Sequence, residues 1–214
     1  MAHPATAAHS RHYNGGVPSN ARDFQIRDYR SADFDALWRI DQTCFPPGIS
    51  YSKTELKLYM RRRGSFTLIA ERIAGRAVNL DSRKLKKSSD IALADGDIAG
   101  FIVAEAGNRG SGHIITIDVV AAARRFGVGS MLLKAAEDRI GIAECHSVEL
   151  ETAVDNISAL SFYKRHGYNV IRTFPRYYAN GVDALVLQKE LAAARKQRSV
   201  ESRRTAILKQ VPDH

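Results

Sequence analysis

The sequence predicts an α+β domain built on a mostly antiparallel sheet. Three observations carry this. Short strand-like runs alternate with turn signals from Phe66 to Val120. The apolar period then lengthens to that of a helix, once after Val128 and again after Ile157. The chain has 214 residues, 44% hydrophobic and 26% charged, which suits one globular domain with tails.

The elements follow in order. Phe24–Tyr29 alternates and reads as a strand. Ser31 or Asp33 is placed to cap a helix whose apolar positions are Phe34, Leu37, Trp38 and Ile40. That helix stops before the breaker cluster Cys44-Phe45-Pro46-Pro47-Gly48. A second helix starts near Ser52, with Glu55 three residues on completing a capping box. Strands are expected over Phe66–Glu71, Ile98–Ala106 and His113–Val120, the last two preceded by turns at Asp95-Gly96-Asp97 and Asn108–Gly112 respectively. Val128, Met131, Leu132, Ala135, Ala136 and Ile140 mark a helix. Ser147–Thr152 is a strand, and Ile157–Lys164 a helix ended by His166-Gly167. Tyr168–Phe174 and Asp183–Lys189 close the chain as strands. This is an opening of two strands and two helices, a meander, then a β-α-β-α-β half ending in a further strand. The sheet has about six or seven strands, with flanking helices and a βαβ crossover inside it.

Three segments fall outside this plan. Residues 1–22 read as a disordered arm and residues 191–214 as a basic tail, helical or disordered, leaving 23–190 as the domain. Within it, residues 74–90 form a basic inserted loop. The net charge of +9 belongs to these segments: residues 191–214 carry +4, residues 71–90 carry +3 and residues 1–22 carry +2, so the remainder is neutral. A basic tail attracts ribosomes, RNA or anionic surfaces without being the functional core. The N-terminus lacks the apolar stretch of a secretion signal and no run approaches the ~18 residues that cross a bilayer. A cytoplasmic protein is expected. Cys44 and Cys145 lie far apart in sequence and read as two reduced thiols, and no metal site is expected.

The chemistry lies in Arg124-Arg125-Phe126-Gly127-Val128-Gly129-Ser130, directly after a strand and opening a helix. The first amides of a helix are unpaired and its dipole favours negative charge, so this is an anion site. Gly127 and Gly129 let the backbone approach a bulky ligand, and Arg124 and Arg125 add charge for phosphate. The glycine spacing fits neither G-x-G-x-x-G nor G-x-x-x-x-G-K-[ST]. What remains is R-x-x-G-x-G.

That pattern resembles the [QR]-x-x-G-x-[GA] signature of the GNAT N-acetyltransferase superfamily. A second segment strengthens the resemblance: Leu150-Glu151-Thr152, then Asn156, then Ala159 through Tyr163 to Gly167-Tyr168, at the family's spacing with Thr152 in place of Val. Phe45-Pro46, and Arg176-Tyr177-Tyr178 followed by Asp183-Ala184, resemble segments beside the peptide groove of ribosomal-protein-alanine and other N-terminal acetyltransferases. The resemblance spans about residues 24–190. It implies a single GNAT-type domain, acetyl-coenzyme A as cosubstrate and no metal.

It also implies roles. Glu151 is the candidate general base, through a water, with Glu149 its competitor on the same strand face and the Asp118 side chain a further alternative. Tyr163 is the candidate acid toward the coenzyme A sulfur. Asn156 would hold the pantetheine amide. The backbone of Asp118, Val119 and Val120 would pair with the pantetheine like an added strand, the Val120 N–H polarising the acetyl carbonyl. The turn Arg124–Ser130 would bind the pyrophosphate. Phe45, Tyr177 and Tyr178 are the expected peptide-site residues. The acceptor expected is a protein N-terminal α-amine, such as that of a ribosomal protein. Two alternatives stay open: a small amine or lysine acceptor, and a ribosome- or RNA-associated module that binds coenzyme A without turnover.

Overall fold

The computed structural model describes residues 19–73, 93, 96–107 and 110–191. Residues 1–18, the whole 74–90 insertion and the tail beyond Leu191 lie outside them, as do Asp95, Asn108 and Arg109 in the two expected turns. The elements are β1 (Phe24–Asp28), α1 (Phe34–Cys44), α2 (Lys53–Met60), β2 (Ser65–Arg72), β3 (Ile98–Ala106), β4 (Ser111–Val119), α3 (Val128–Ile142), β5 (Ser147–Ala153), α4 (Ile157–Arg165), β6 (Asn169–Phe174) and β7 (Ala184–Glu190). All seven strands join one sheet in the order β1-β2-β3-β4-β5-β7-β6. Every pairing is antiparallel except β4 with β5, where α3 forms the crossover.

The helices cover both faces, because each carries one apolar stripe. Phe34, Leu37 and Ile40 of α1 and Leu56 of α2 pack with Ile69, Phe101 and Val103 on one face. Leu132, Leu133, Ala136 and Ile140 of α3 and Tyr163 of α4 pack with Ile102, Ile114, Val148 and Leu150 on the other. Burying one Leu or Ile side chain fully contributes about 1.5–3 kcal/mol.

Local signals act as their chemistry dictates, with two corrections. Ser52 Oγ accepts from Glu55 N–H (3.2 Å) and Glu55 Oε2 accepts from Ser52 N–H (2.9 Å), the reciprocal box expected at α2. At α1 neither Ser31 nor Asp33 caps: Ser31–Asp33 is a 3-10 turn and the position before Phe34 has no side-chain cap bond. The Asp33 carboxylate instead accepts from the Arg27 guanidinium (2.8 and 3.0 Å) and from Arg30 N–H (2.8 Å). The domain also begins earlier than expected, since Ser19–Asp23 is a 3-10 turn with Ala21 buried. At the end of α4, Gly167 takes φ +86°, and Tyr168 N–H and Gly167 N–H return to Tyr163 O and Lys164 O (both 3.1 Å). A left-handed residue closes this Schellman pattern, which is why glycine stands there.

Candidate active site

The sheet is split where β4 and β5 diverge. They pair only from Ser111–Ser147 to Ile114–Leu150. Beyond that, β5 runs on through Glu151, Thr152 and Ala153, paired on its other edge with β7, and β4 runs on to Val119, paired on its other edge with β3. The parting coincides with a bulge: β3 pairs Ala104 with Ile114 and Val103 with Thr116, so Ile115 is the extra residue on β4. A bulge sharpens twist and ends pairing. Strand alternation turns the polar backbone of Ile115, Ile117 and Val119 toward the opening. Tyr51 Oη donates to Ile115 O (3.3 Å) at its narrow end.

One side of the gap meets the turn before α3. Gly127 has φ +84° and Arg125 φ +66°, so the backbone reverses through two left-handed residues. Val128 is buried and Phe126 packs on the core, which anchors the turn. The first helical bond is Met131 N–H to Gly127 O (3.0 Å), so the amides of Val128, Gly129 and Ser130 precede the helical ladder. A Cβ on Gly129 would meet the Phe162 ring at 3.4 Å, so glycine allows α3 and α4 to close together there. These features fit a bulky anion.

Several expected ligands are engaged elsewhere. Arg124 Nε donates to Val119 O (2.9 Å) and its Nη2 reaches Cys44 Sγ (3.6 Å), so its guanidinium folds back onto the ends of β4 and α1. Val120 N–H donates to Ala99 O (3.0 Å). The carbonyl donor expected from Val120 is therefore tied to the neighbouring chain, and alternation presents Val119 to the gap instead. Asn156 Oδ1 accepts from Ala159 N–H (3.1 Å) and caps α4. His166 Nδ1 donates to Phe162 O (2.8 Å), so its Nε2 accepts from the Ser130 hydroxyl (2.9 Å), turning that side chain toward α4.

The other side of the gap carries titratable and aromatic groups. Glu151 Oε2 lies 2.7 Å from His113 Nε2, with the Glu side chain 19% exposed and the His 38%. Glu149 is held apart by Gln188 Nε2 at 2.7 Å. Tyr177 stacks on Phe174 (5.9 Å) and meets Tyr178 edge-on (5.1 Å), while Tyr51 packs on Tyr59 (5.1 Å). Burial first, then the Tyr177 hydroxyl and the Glu151 charge, push the Tyr178 phenol up to about 12. The hairpin loop that presents Tyr177 and Tyr178 is pinned by Asp183 Oδ1, which accepts from Arg176 N–H (2.8 Å). Phe45 follows α1 in extended backbone and is half-buried. Gly48, in the α1–α2 loop, stands against this same hairpin: a Cβ there would lie 3.8 Å from Asn180 N.

Tyr163 enters from α4 and is buried. Desolvation, then the charge of Asp118, raise its phenol well above the usual value, so it holds its proton as a donor. Asp118 and Asp41 are both buried. Burial pushes Asp41 up, and burial with the Asp41 charge holds Asp118 up to about 8.

The structure brings the start of α3 together with the end of β4 and with α4, which carries Tyr163, and brings Glu151 together with Tyr177 and Tyr178; it shows no contact that joins Phe45, or the Asn156 side chain beyond its cap on α4, to either group among the described residues. His113, Tyr51 and Asp41 are additions. Asp41 carried a signal, since it continues the Leu37–Ile40–Cys44 stripe as an acid on a buried face. His113 carried none without the β4–β5 register. Among the described residues no group of three His, Cys, Asp or Glu side chains is placed to hold a metal ion, and no helix is long and apolar enough to cross a membrane.

Comparison with known proteins bears on this geometry. The model of the acetyltransferase (GNAT) family matches residues 34–168. An uncharacterized N-acetyltransferase of Methanocaldococcus jannaschii is 38% identical over 101 residues, which are 47% of this chain and 64% of that protein. An N-alpha-acetyltransferase of Sulfurisphaera tokodaii is 24% identical over 182 residues, 79% of this chain and 95% of that protein. The crystal structure of Ard1 from Thermoplasma volcanium superposes with a TM-score of 0.63 at 24% identity, over 79% of this chain and 98% of that one. With the split sheet and the R-x-x-G-x-G turn in place, the chain belongs to the acetyltransferase (GNAT) family, whose cosubstrate is acetyl-coenzyme A.

Proposed function

We propose that this protein transfers the acetyl group of acetyl-coenzyme A to the α-amine of a protein N-terminus. The observation that carries this is the split between β4 and β5, with an anion-binding turn on one side and Glu151 among tyrosines on the other. The relative named N-alpha-acetyltransferase supports the acceptor class. An α-amine loses its proton near pH 8 against about 10.4 for lysine, so it is the easier nucleophile by about two units.

The amides of Val128, Gly129 and Ser130 hold the pyrophosphate, with Arg125 adding charge. The open edge of β4 at Ile117 and Val119 pairs with the pantetheine, and Asn156 Nδ2 reaches its amide. Glu151, oriented by His113, accepts a proton from the acceptor nitrogen through water, and Tyr163 protonates the leaving sulfur. Phe45, Tyr51, Tyr59, Tyr177 and Tyr178 line the approach.

The test is incubation with acetyl-coenzyme A and peptides beginning Ala, Ser or Met, read by mass spectrometry for one acetyl group on the terminal nitrogen. Turnover on a polyamine or lysine side chain, with none on any free N-terminus, overturns the reading. The acids Asp41, Asp118 and Glu151 would suit a small cationic amine, and the same assay separates that case. A ribosomal acceptor is tested by offering ribosomal proteins as substrates.

A further inference from the structure

Asp118 sits on β4 beneath α1. It is 1% exposed. Its Oδ2 accepts from the Thr116 hydroxyl at 3.1 Å, whereas Oδ1 is buried with no hydrogen-bond partner among the described residues. A buried carboxyl oxygen left unpaired is costly, so such a group calls for a reason.

Its surroundings supply one. The groups that face it are Asp41 and Cys44 of α1, Thr116 of its own strand, Arg124 of the turn before α3 and Tyr163 of α4. Arg124 is engaged with Val119 O and Cys44 rather than with the carboxylate. Tyr163 packs in the core on the α3–α4 face of the sheet, while Cys44 belongs to the α1–α2 face. A charge on Asp118 nevertheless bears on the Tyr163 phenol. Asp118 lies on the stretch of β4 beyond its pairing with β5, where the sheet is open between its two faces.

We propose that Asp118 is a second catalytic carboxyl of the transfer reaction, receiving one of the two protons that the acceptor nitrogen gives up. This rests on the reading of the protein as an amine acetyltransferase and holds for any amine acceptor. The ammonium loses two protons on becoming an amide. One passes to Asp118 before attack and the other to Glu151 as the tetrahedral adduct collapses. The C–N bond forms, the C–S bond breaks, and the Tyr163 hydroxyl protonates the sulfur. Asp118 then returns its proton to the Tyr163 phenolate, and Glu151 releases its own to solvent past His113. The net products are amide, thiol and one solvent proton.

The energetics agree. A carboxyl held up to about 8 by burial and by Asp41 matches an α-ammonium near 8, so the first transfer is close to balanced. A carboxyl in the ordinary range would accept the same proton uphill by about four units.

The test uses the full chain with acetyl-coenzyme A and whichever amine the acceptor assay finds. Asp118→Asn is expected to lower kcat by about 100-fold or more, with coenzyme A affinity unchanged and Tm no lower. Thr116→Val should move the pH at which kcat rises upward, because the hydroxyl favours the charged carboxylate. Asp41→Asn should move it downward, because a neighbouring charge is removed. Asp118→Asn keeping kcat within about threefold of wild type overturns the proposal and leaves the acceptor reading standing. So does an unmoved pH limb in both other variants, which also serves if Asp118→Asn fails to fold. Absence of turnover on every amine overturns both.

Discussion

Glu151, one residue past the last β4–β5 pair, brings its Oε2 to 2.7 Å from Nε2 of His113, which lies within the paired stretch. The carboxylate is thereby oriented at the point where the two strands separate, with the imidazole on its solvent side. Replacing Glu151 with Gln keeps the shape and removes the proton acceptor. A fall in kcat of about 10²–10⁴ is expected with coenzyme A affinity retained. Steady-state kinetics beside calorimetric titration of coenzyme A checks it.

Tyr163→Phe removes one hydroxyl and keeps the ring that packs edge-on against Phe162 (5.2 Å) and Tyr168 (5.5 Å). kcat should fall at least about tenfold while Tm stays within a few degrees. Thermal unfolding and turnover measured on the same preparation separate the two effects.

Gly127→Ala forces a Cβ onto φ +84°. The strain costs about 1–2 kcal/mol and twists the amides that open α3. Lower Tm together with weaker coenzyme A binding is the expected pair of outcomes, while Gly110→Ala, also at positive φ but remote from the turn, should lower Tm alone.

Buried carboxyls make stability depend on pH with a definite sign. Asp118 is raised from 3.8 to about 8, so the folded state holds a proton that the unfolded chain releases above its own pKa. Stability from this group is present in full below about pH 4, declines between about 4 and 8, and is level above, by up to about 1.4 kcal/mol per unit within the window. Asp41 is raised and adds in the same direction. Chemical denaturation at pH 5 to 9 should show wild type losing stability across that window, and Asp118→Asn should lose less.

Asp183→Ala removes the acceptor of Arg176 N–H and frees the hairpin loop that carries Tyr177 and Tyr178. The KM for the acceptor should rise several-fold with coenzyme A affinity unchanged. Equal losses for both substrates would mean that the loop serves the whole domain rather than the acceptor side.

The fold was legible because its signals are local: a capping box at Ser52, a glycine after α4, a change of period after Val128. The candidate site was legible to the extent that its proposed residues lie on contiguous motifs, as Arg124–Ser130 and Glu151–Tyr163 do. Contacts across strands were not. The Glu151–His113 pairing depends on parallel register, and the engagement of Val120 N–H with Ala99 O depends on the β3–β4 register. Neither is written in spacing along the chain. Arg124 illustrates a further limit. Its charge suggested a phosphate ligand, but a long side chain takes the nearest good acceptor, here Val119 O and Cys44.

Gly48 and Asn180 stand almost in contact, and Tyr51, at the far end of the loop that carries Gly48, feels both Tyr177 and Tyr178. Two loops from distant parts of the chain therefore stand side by side next to the tyrosines at the gap. Under the proposed acceptor reading, what enters is selected by the two loops together, and lengthening either one should change it without altering a single group that handles protons.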